Sequence, residues 1–319
     1  MMKKTILAVG MAFVGVAGYA QQDAQFSQNM FNRLAVNPGY AGSQGALCGT
    51  LLYRTQWVGF DGAPKTTLLS VDMPVKVIHG GVGLTVFSDE LGAEKNFSAK
   101  LDYAYRKPIG IGTIGVGIEL GLFSKSLRGL AENGVKNGLV PITKGDPSIP
   151  TQTEGDMTVD VGFGIYYHTS DNNLYFGVST THVPETDVKY TQQNQLIDLS
   201  LARHYYVIAG YNYQLPNPSL VLKPSVFIKS DAATTALDIN TLLEWNSTIW
   251  AGASFRPGDA AVALVGFHPI QDLKIGYAYD FTLSEIKGYS SGSHEVMINY
   301  CKKITSEGPT QRYRNVRFL

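Results

Sequence analysis

The run Leu273-Lys274-Ile275-Gly276-Tyr277-Ala278-Tyr279-Asp280-Phe281-Thr282-Leu283 decides the fold. Its odd positions are Leu, Ile, Tyr, Tyr, Phe and Leu; its even positions are Lys, Gly, Ala, Asp and Thr. Side chains of a strand alternate between two faces, so this strand carries one greasy face and one polar face. Its length also matches the roughly 9–11 residues that a tilted strand needs to cross the hydrocarbon of a bilayer. Phe97–Arg106 splits in the same way, with Phe97, Ala99, Leu101, Tyr103 and Tyr105 opposing Ser98, Lys100, Asp102, Ala104 and Arg106. Beyond Met157, Val159, Val161, Phe163, Ile165 and Tyr167 oppose Thr158, Asp160, Gly162, Gly164 and Tyr166.

Working outward, strands are expected near 46–58, 65–74, 80–88, 94–107, 112–125, 157–168 and 172–181. Seven more are expected near 202–214, 219–230, 234–246, 248–257, 259–268, 271–283 and 293–302. This pattern predicts an all-β chain, a transmembrane antiparallel β-barrel of about 14 strands with periplasmic N- and C-termini. The long connections, 126–156, 182–201 and 284–292, all follow odd-numbered strands. The even-numbered strands end in short turns such as 107–110, 170–172, 216–218 and 268–270. Outer-membrane barrels have short periplasmic turns and longer external loops, and one miscounted strand would break the parity. Pro224 falls inside a strand and removes a ladder donor, so a bulge is expected there.

Composition agrees. Of the 319 residues, 44% are apolar and only 16% charged, against roughly 25% charged in a typical soluble domain. The net charge is zero, so there is no global basic field and no nucleic-acid partner is expected. Residues 1–20 read as a signal peptide: Lys3 and Lys4, an apolar run from Thr5 to Ala17, then Gly18-Tyr19-Ala20 before the cut. That run is too short to span a bilayer, and no cysteine marks a lipoprotein. Residues 21–45 do not alternate and form either a periplasmic segment or a lumen plug; 46–302 form the barrel, and 303–319 a basic periplasmic tail.

The inward faces carry Arg54, Asp72, Lys100, Asp102, Arg106, Glu119, Asp160, Asp238, Glu244, Lys274, Asp280 and Glu295. These nearly balanced charges either line a channel or pair and close it, and residues 21–45 could fill the space. The small residues of the Gly110–Gly121 run would let such a filler approach the wall. Cys48 and Cys301 fall on the first and last strands with agreeing parity, which permits a disulfide across the seam in an oxidising compartment. Two free thiols are the alternative. The six histidines are scattered over turns and strand ends, with no H-E-x-x-H or Cys/His cluster, so no metal site is expected. No G-x-S-x-G elbow or phosphate loop is present, so no catalytic residue, cofactor or enzymatic activity is expected.

Gln21-Gln22-Asp23-Ala24-Gln25-Phe26-Ser27-Gln28-Asn29-Met30-Phe31-Asn32, then Leu34-Ala35-Val36-Asn37-Pro38-Gly39-Tyr40-Ala41-Gly42, resembles the start of mature PorP/SprF proteins. Tyr53–Thr66, Tyr277–Asp280, Ser293–Glu295 and the closing Arg314–Phe318 are similar too. Gly39 departs from the pattern, where alanine is more usual. The resemblance implies an outer-membrane component of the type IX secretion and gliding machinery. It would support export or surface anchoring of an adhesin-like secreted protein through that protein's C-terminal domain. Periplasmic components would meet the inner face, and outer-membrane lipid the wall.

On this reading Arg128, Lys136, Lys144, Asp187 and Lys189 on the long connections, and Arg312, Arg314 and Arg317 in the tail, are candidate partner-binding residues. The competing readings are an outer-membrane channel for small solutes and a secreted β-sandwich.

Overall fold

The computed structural model describes residues 23–59, 62–129, 153–192 and 195–304. Its strands are β1 (Ala46–Thr55), β2 (Lys65–Val75), β3 (Gly80–Leu91), β4 (Glu94–Ile109), β5 (Gly112–Leu127) and β6 (Glu154–Thr169). They continue with β7 (Leu174–Thr181), β8 (Asp187–Gln192), β9 (Gln195–Ser200), β10 (His204–Tyr211), β11 (Tyr213–Gln214) and β12 (Leu220–Ser230). The last are β13 (Thr235–Trp245), β14 (Ile249–Arg256), β15 (Ala260–Ile270), β16 (Leu273–Thr282) and β17 (Ser293–Lys303).

β17 pairs back onto β1, and β10 pairs with both β7 and β12, so the sheet closes on itself. β10 and β11 are two parts of one strand, both paired with β12, while β8 and β9 form a separate hairpin. Fourteen antiparallel strands therefore make one cylinder. Closure satisfies every ladder group without water, which is what lets strands cross lipid. Alternation sorts the faces as expected. In β16, Tyr277 is 39% exposed while Asp280 is 1% exposed, on opposite sides of the strand. The same outer surface displays Leu51, Leu101, Leu120, Val159 and Phe281.

Three local expectations are corrected. Pro224 pairs with Thr241 without a bulge, and the β10/β11–β12 register resumes unchanged at Tyr213–Leu222 beyond it. The missing donor is absorbed by the break between β10 and β11. The register shift lies instead between Phe267 and Ile270, at Pro269, so β15 runs on to Ile270. Likewise β4 extends through Pro108 to Ile109, narrowing that turn to Gly110-Ile111. The long connection after β7, expected as a plain loop, contains the β8–β9 hairpin. Val188 of that hairpin is fully buried against Phe123 and Leu201.

Candidate functional site

Residues 23–45 run through the cylinder, from the end with the long connections to the end where β1 begins. This strap has little regular structure beyond two short turns, Asn29–Phe31 and Pro38–Tyr40. Its buried backbone groups therefore need partners from the wall, and the inward polar residues supply them.

Near its start, the Asp23 carboxylate meets His182 Nε2 at 3.1 Å and accepts a hydrogen bond from the Tyr206 hydroxyl. The Asp23 amide donates to His204 Nε2 at 3.1 Å, and Lys229 donates to its carbonyl at 2.7 Å. Behind His182, Asp160 lies 2.9 Å from Nδ1, and Lys100 bridges Glu119 and Asp160 at 2.9 and 3.4 Å. Burial opposes protonation of His182, but the carboxylates of Asp23 and Asp160 push its pKa up to about 9.

Midway, the amides of Ser27 and Gln28 both donate to Glu295, each at 2.8 Å, and the Ser27 hydroxyl donates to Asp280 at 2.7 Å. Arg54 joins the same group, 2.8 Å from Asp280 and 3.3 Å from Glu295. Arg256 holds Asp238 at 2.6 Å, and Gln25 donates to the other oxygen of that carboxylate at 2.9 Å. These buried charges are paired and hydrogen-bonded, the condition under which they can stay ionised out of water.

Further along, the Arg33 guanidinium sits 3.6 Å above the Tyr175 ring and donates to the Tyr166 hydroxyl at 3.0 Å. Asn37 donates to the Ile165 and Val178 carbonyls at 3.0 and 3.3 Å, so one amide spans two strands. Here Pro38-Gly39 lies on the wall glycines. A Cβ on Gly117 would fall 2.3 Å from the Gly39 nitrogen, and one on Gly39 would fall 2.9 Å from backbone atoms of Gly115, Gly164 and Tyr166. Alanine at position 39 would therefore require the strap or the wall to move. Gly42 finally donates to Asp72 at 2.8 Å before the strap turns into β1.

Cavities lie toward both ends of the strap, with a smaller one of about 60 Å³ alongside it beside Phe26, Val36, Lys100 and Tyr206. Of the end cavities, one of about 390 Å³ opens at the long-connection end beside Asp23, Phe123, Lys125, His182 and His204. The other, of about 240 Å³, lies at the opposite end beside Arg33, Tyr40, Asp72, Lys274 and Cys301. At that second end Cys48 and Cys301 are register partners across β1 and β17, with Cα atoms 4.1 Å apart and their sulfurs bonded.

Of the candidate partner-binding residues, Arg128, Asp187 and Lys189 lie among the described residues. Arg128 pairs with Glu90 at 3.2 Å on the rim. Asp187 accepts from the Ser200 hydroxyl at 2.5 Å, and the Lys189 amide donates to Asp156 at 2.9 Å while its side chain stays exposed. Lys136, Lys144, Arg312, Arg314 and Arg317 lie outside the described residues.

Sequence reasoning missed Arg256 and the meeting of Asp23 with His182 and His204. Arg256 shares parity with Ser254 and Trp250 and was legible as inward. The histidines carried a weaker signal: they flank the two ends of one connection.

A model of the family described as type IX secretion system membrane protein PorP/SprF matches residues 18–300. No curated protein matches the chain. Among solved structures, the chain is similar in fold to the Ralstonia pickettii toluene transporter TbuX, at 11% identity, covering 85% of this chain and 93% of that one, TM-score 0.46. The Acinetobacter baumannii outer membrane protein Omp33 is 10% identical, covering 81% and 99%, TM-score 0.44. The P. putida toluene transporter TodX is 11% identical, covering 86% and 94%, TM-score 0.44.

Proposed function

Because the chain belongs to the PorP/SprF family of type IX secretion system membrane proteins, we propose that it is a closed outer-membrane docking barrel without catalytic activity. It supports export or surface anchoring of a cognate secreted protein by holding that protein's C-terminal domain at the outer mouth. The long connections face outward and grip the partner, with Arg128, Asp187 and Lys189 among the contacts. The Cys48–Cys301 end and the basic tail with Arg312, Arg314 and Arg317 face the periplasmic machinery. In this orientation Asp23 stands at the outer mouth, and the strap descends the lumen toward β1.

The observation that carries this reading is the strap itself. It is hydrogen-bonded to β16 and β17 on one side and to β6 and β7 on the other, so it occupies the lumen between them. A filled lumen suits a docking surface better than a solute channel.

The test has two parts. The intact protein in a planar bilayer should be electrically silent; stable large openings would favour the channel reading. Gentle detergent extraction should recover a secreted protein with the barrel, and deletion of 130–152 together with shortening of 187–200 should release it. Retention of the partner after both changes would remove the long connections as the gripping surface.

A further inference from the structure

Asp23, His182 and His204 come together at the base of the outer cavity, and their ligand atoms all lie within 4.8 Å of one another. Two come from the barrel wall: His182 follows β7 directly, and His204 opens β10. The third comes from the strap. Both imidazoles are among the most buried polar residues, at 4% and 2% exposure.

The ring nitrogens are already sorted. His204 Nδ1 lies 2.9 Å from the Ala202 carbonyl, so it carries the proton and donates, leaving the Nε2 lone pair to accept from the Asp23 amide at 3.1 Å. His182 Nδ1 lies 2.9 Å from Asp160, and its Nε2 likewise faces Asp23. The Ala202 carbonyl behind His204 is the outer-shell arrangement that orients a metal-binding histidine, and Asp160 is the carboxylate nearest to Nδ1 of His182. The carboxylate is oriented too: the Tyr206 hydroxyl occupies Oδ2, and Oδ1 points to His182. In a four-coordinate site with bonds of about 2.0–2.1 Å, neighbouring ligand atoms stand roughly 3.3 Å apart. The 3.1 Å His182–Asp23 separation is close to that spacing.

We propose that Asp23, His182 and His204 form a binding site for a divalent transition-metal ion of zinc type, with the cavity above leaving a position for water. Borderline cations prefer this imidazole and carboxylate set over calcium or magnesium, which take oxygen ligands. Binding displaces the His182 proton that faces Asp23; with both imidazoles then neutral, Asp23, Asp160 and Glu119 outnumber Lys100 and Lys229 by one. Bound metal would clip the start of the strap to two wall strands, replacing the Asp23 amide contact on His204 with a coordinate bond. The ion therefore locks the strap in the lumen.

The mature full-length barrel, purified in detergent without a histidine tag and stripped with chelator, is titrated with zinc chloride by calorimetry. Cobalt is added in a parallel optical titration. One ion should bind per barrel, and cobalt should give the intense visible bands of four-coordinate nitrogen and oxygen ligation. His182→Gln and His204→Gln should each abolish stoichiometric binding, and Asp160→Asn should weaken it by roughly 10–100-fold. His294→Gln, at the outer face, should leave it unchanged. Heat-modifiable gel mobility reports that each variant is folded. Absence of stoichiometric zinc binding by folded wild type overturns the proposal, as does undiminished binding by a folded His182→Gln/His204→Gln double variant.

Discussion

Arg54 on β1 reaches past the intervening strand β17 to Asp280 on β16, nitrogen to oxygen 2.8 Å, with the Ser27 hydroxyl of the strap seated on both. Both side chains are 2% exposed, so wall and strap share one dry ionic centre. Removing Arg54 alone would leave Glu295 without a cation and Asp280 with only Arg256, 3.6 Å away. Arg54→Met should lower stability by about 3–5 kcal/mol, read as a fall in the guanidinium midpoint by tryptophan fluorescence. Adding Asp280→Asn should cost much less than its effect alone, because the two residues act as a unit. Additive losses would show that the centre is not coupled.

The bond between Cys48 and Cys301 joins positions 253 residues apart. A crosslink of that span mainly restricts the unfolded chain, and typical gains are about 2–4 kcal/mol. Peptide mapping without reductant should find the two segments linked. Reduction, or Cys48→Ser with Cys301→Ser, should lower the unfolding midpoint while the barrel still folds, since β1–β17 pairing closes the cylinder independently.

Contact between strap and wall depends on the absent side chain at Gly117, where a Cβ would meet the Pro38 carbonyl carbon and the Gly39 nitrogen, each at 2.3 Å. Gly117→Val should displace the strap and turn a silent protein into one that opens in planar bilayers. Gly288→Ala, whose Cβ would meet nothing within 4 Å, should remain silent. Silence of both variants would mean that the strap does not close the lumen.

Val188 anchors the outer hairpin by packing against Phe123 and Leu201 with no exposed surface. Val188→Asp would put a carboxylate into that apolar contact, which is costly without a partner. Limited proteolysis between 187 and 200 should accelerate, with unchanged heat-modifiable mobility of the barrel. An unchanged cleavage rate would show that the hairpin is held by other contacts.

The strands were legible in the sequence because their signal is local. Tyr277 and Asp280 declare opposite faces within four consecutive residues, and the loop parity follows from counting such runs. The inward charges were legible for the same reason, down to Arg54, Asp280 and Glu295. The strap offered no period to read: Asp23–Gly45 is neither alternating nor helical, and its conformation is set by the groups it meets. His182 and His204 looked like scattered rim residues, because nothing local tells a strand end what the lumen will bring to it.

By itself, then, the sequence determined the barrel, its strand number and which face meets lipid, since a period of two needs only neighbours along the chain to be written. The tertiary structure alone decided the course of residues 23–45, the grouping of Ser27 with Arg54 and Asp280, and the convergence of Asp23 on two histidines. Those relations join residues up to 268 positions apart across a curved wall. They exist only after closure has brought the strands around a common axis and excluded the water that would otherwise satisfy the same polar groups.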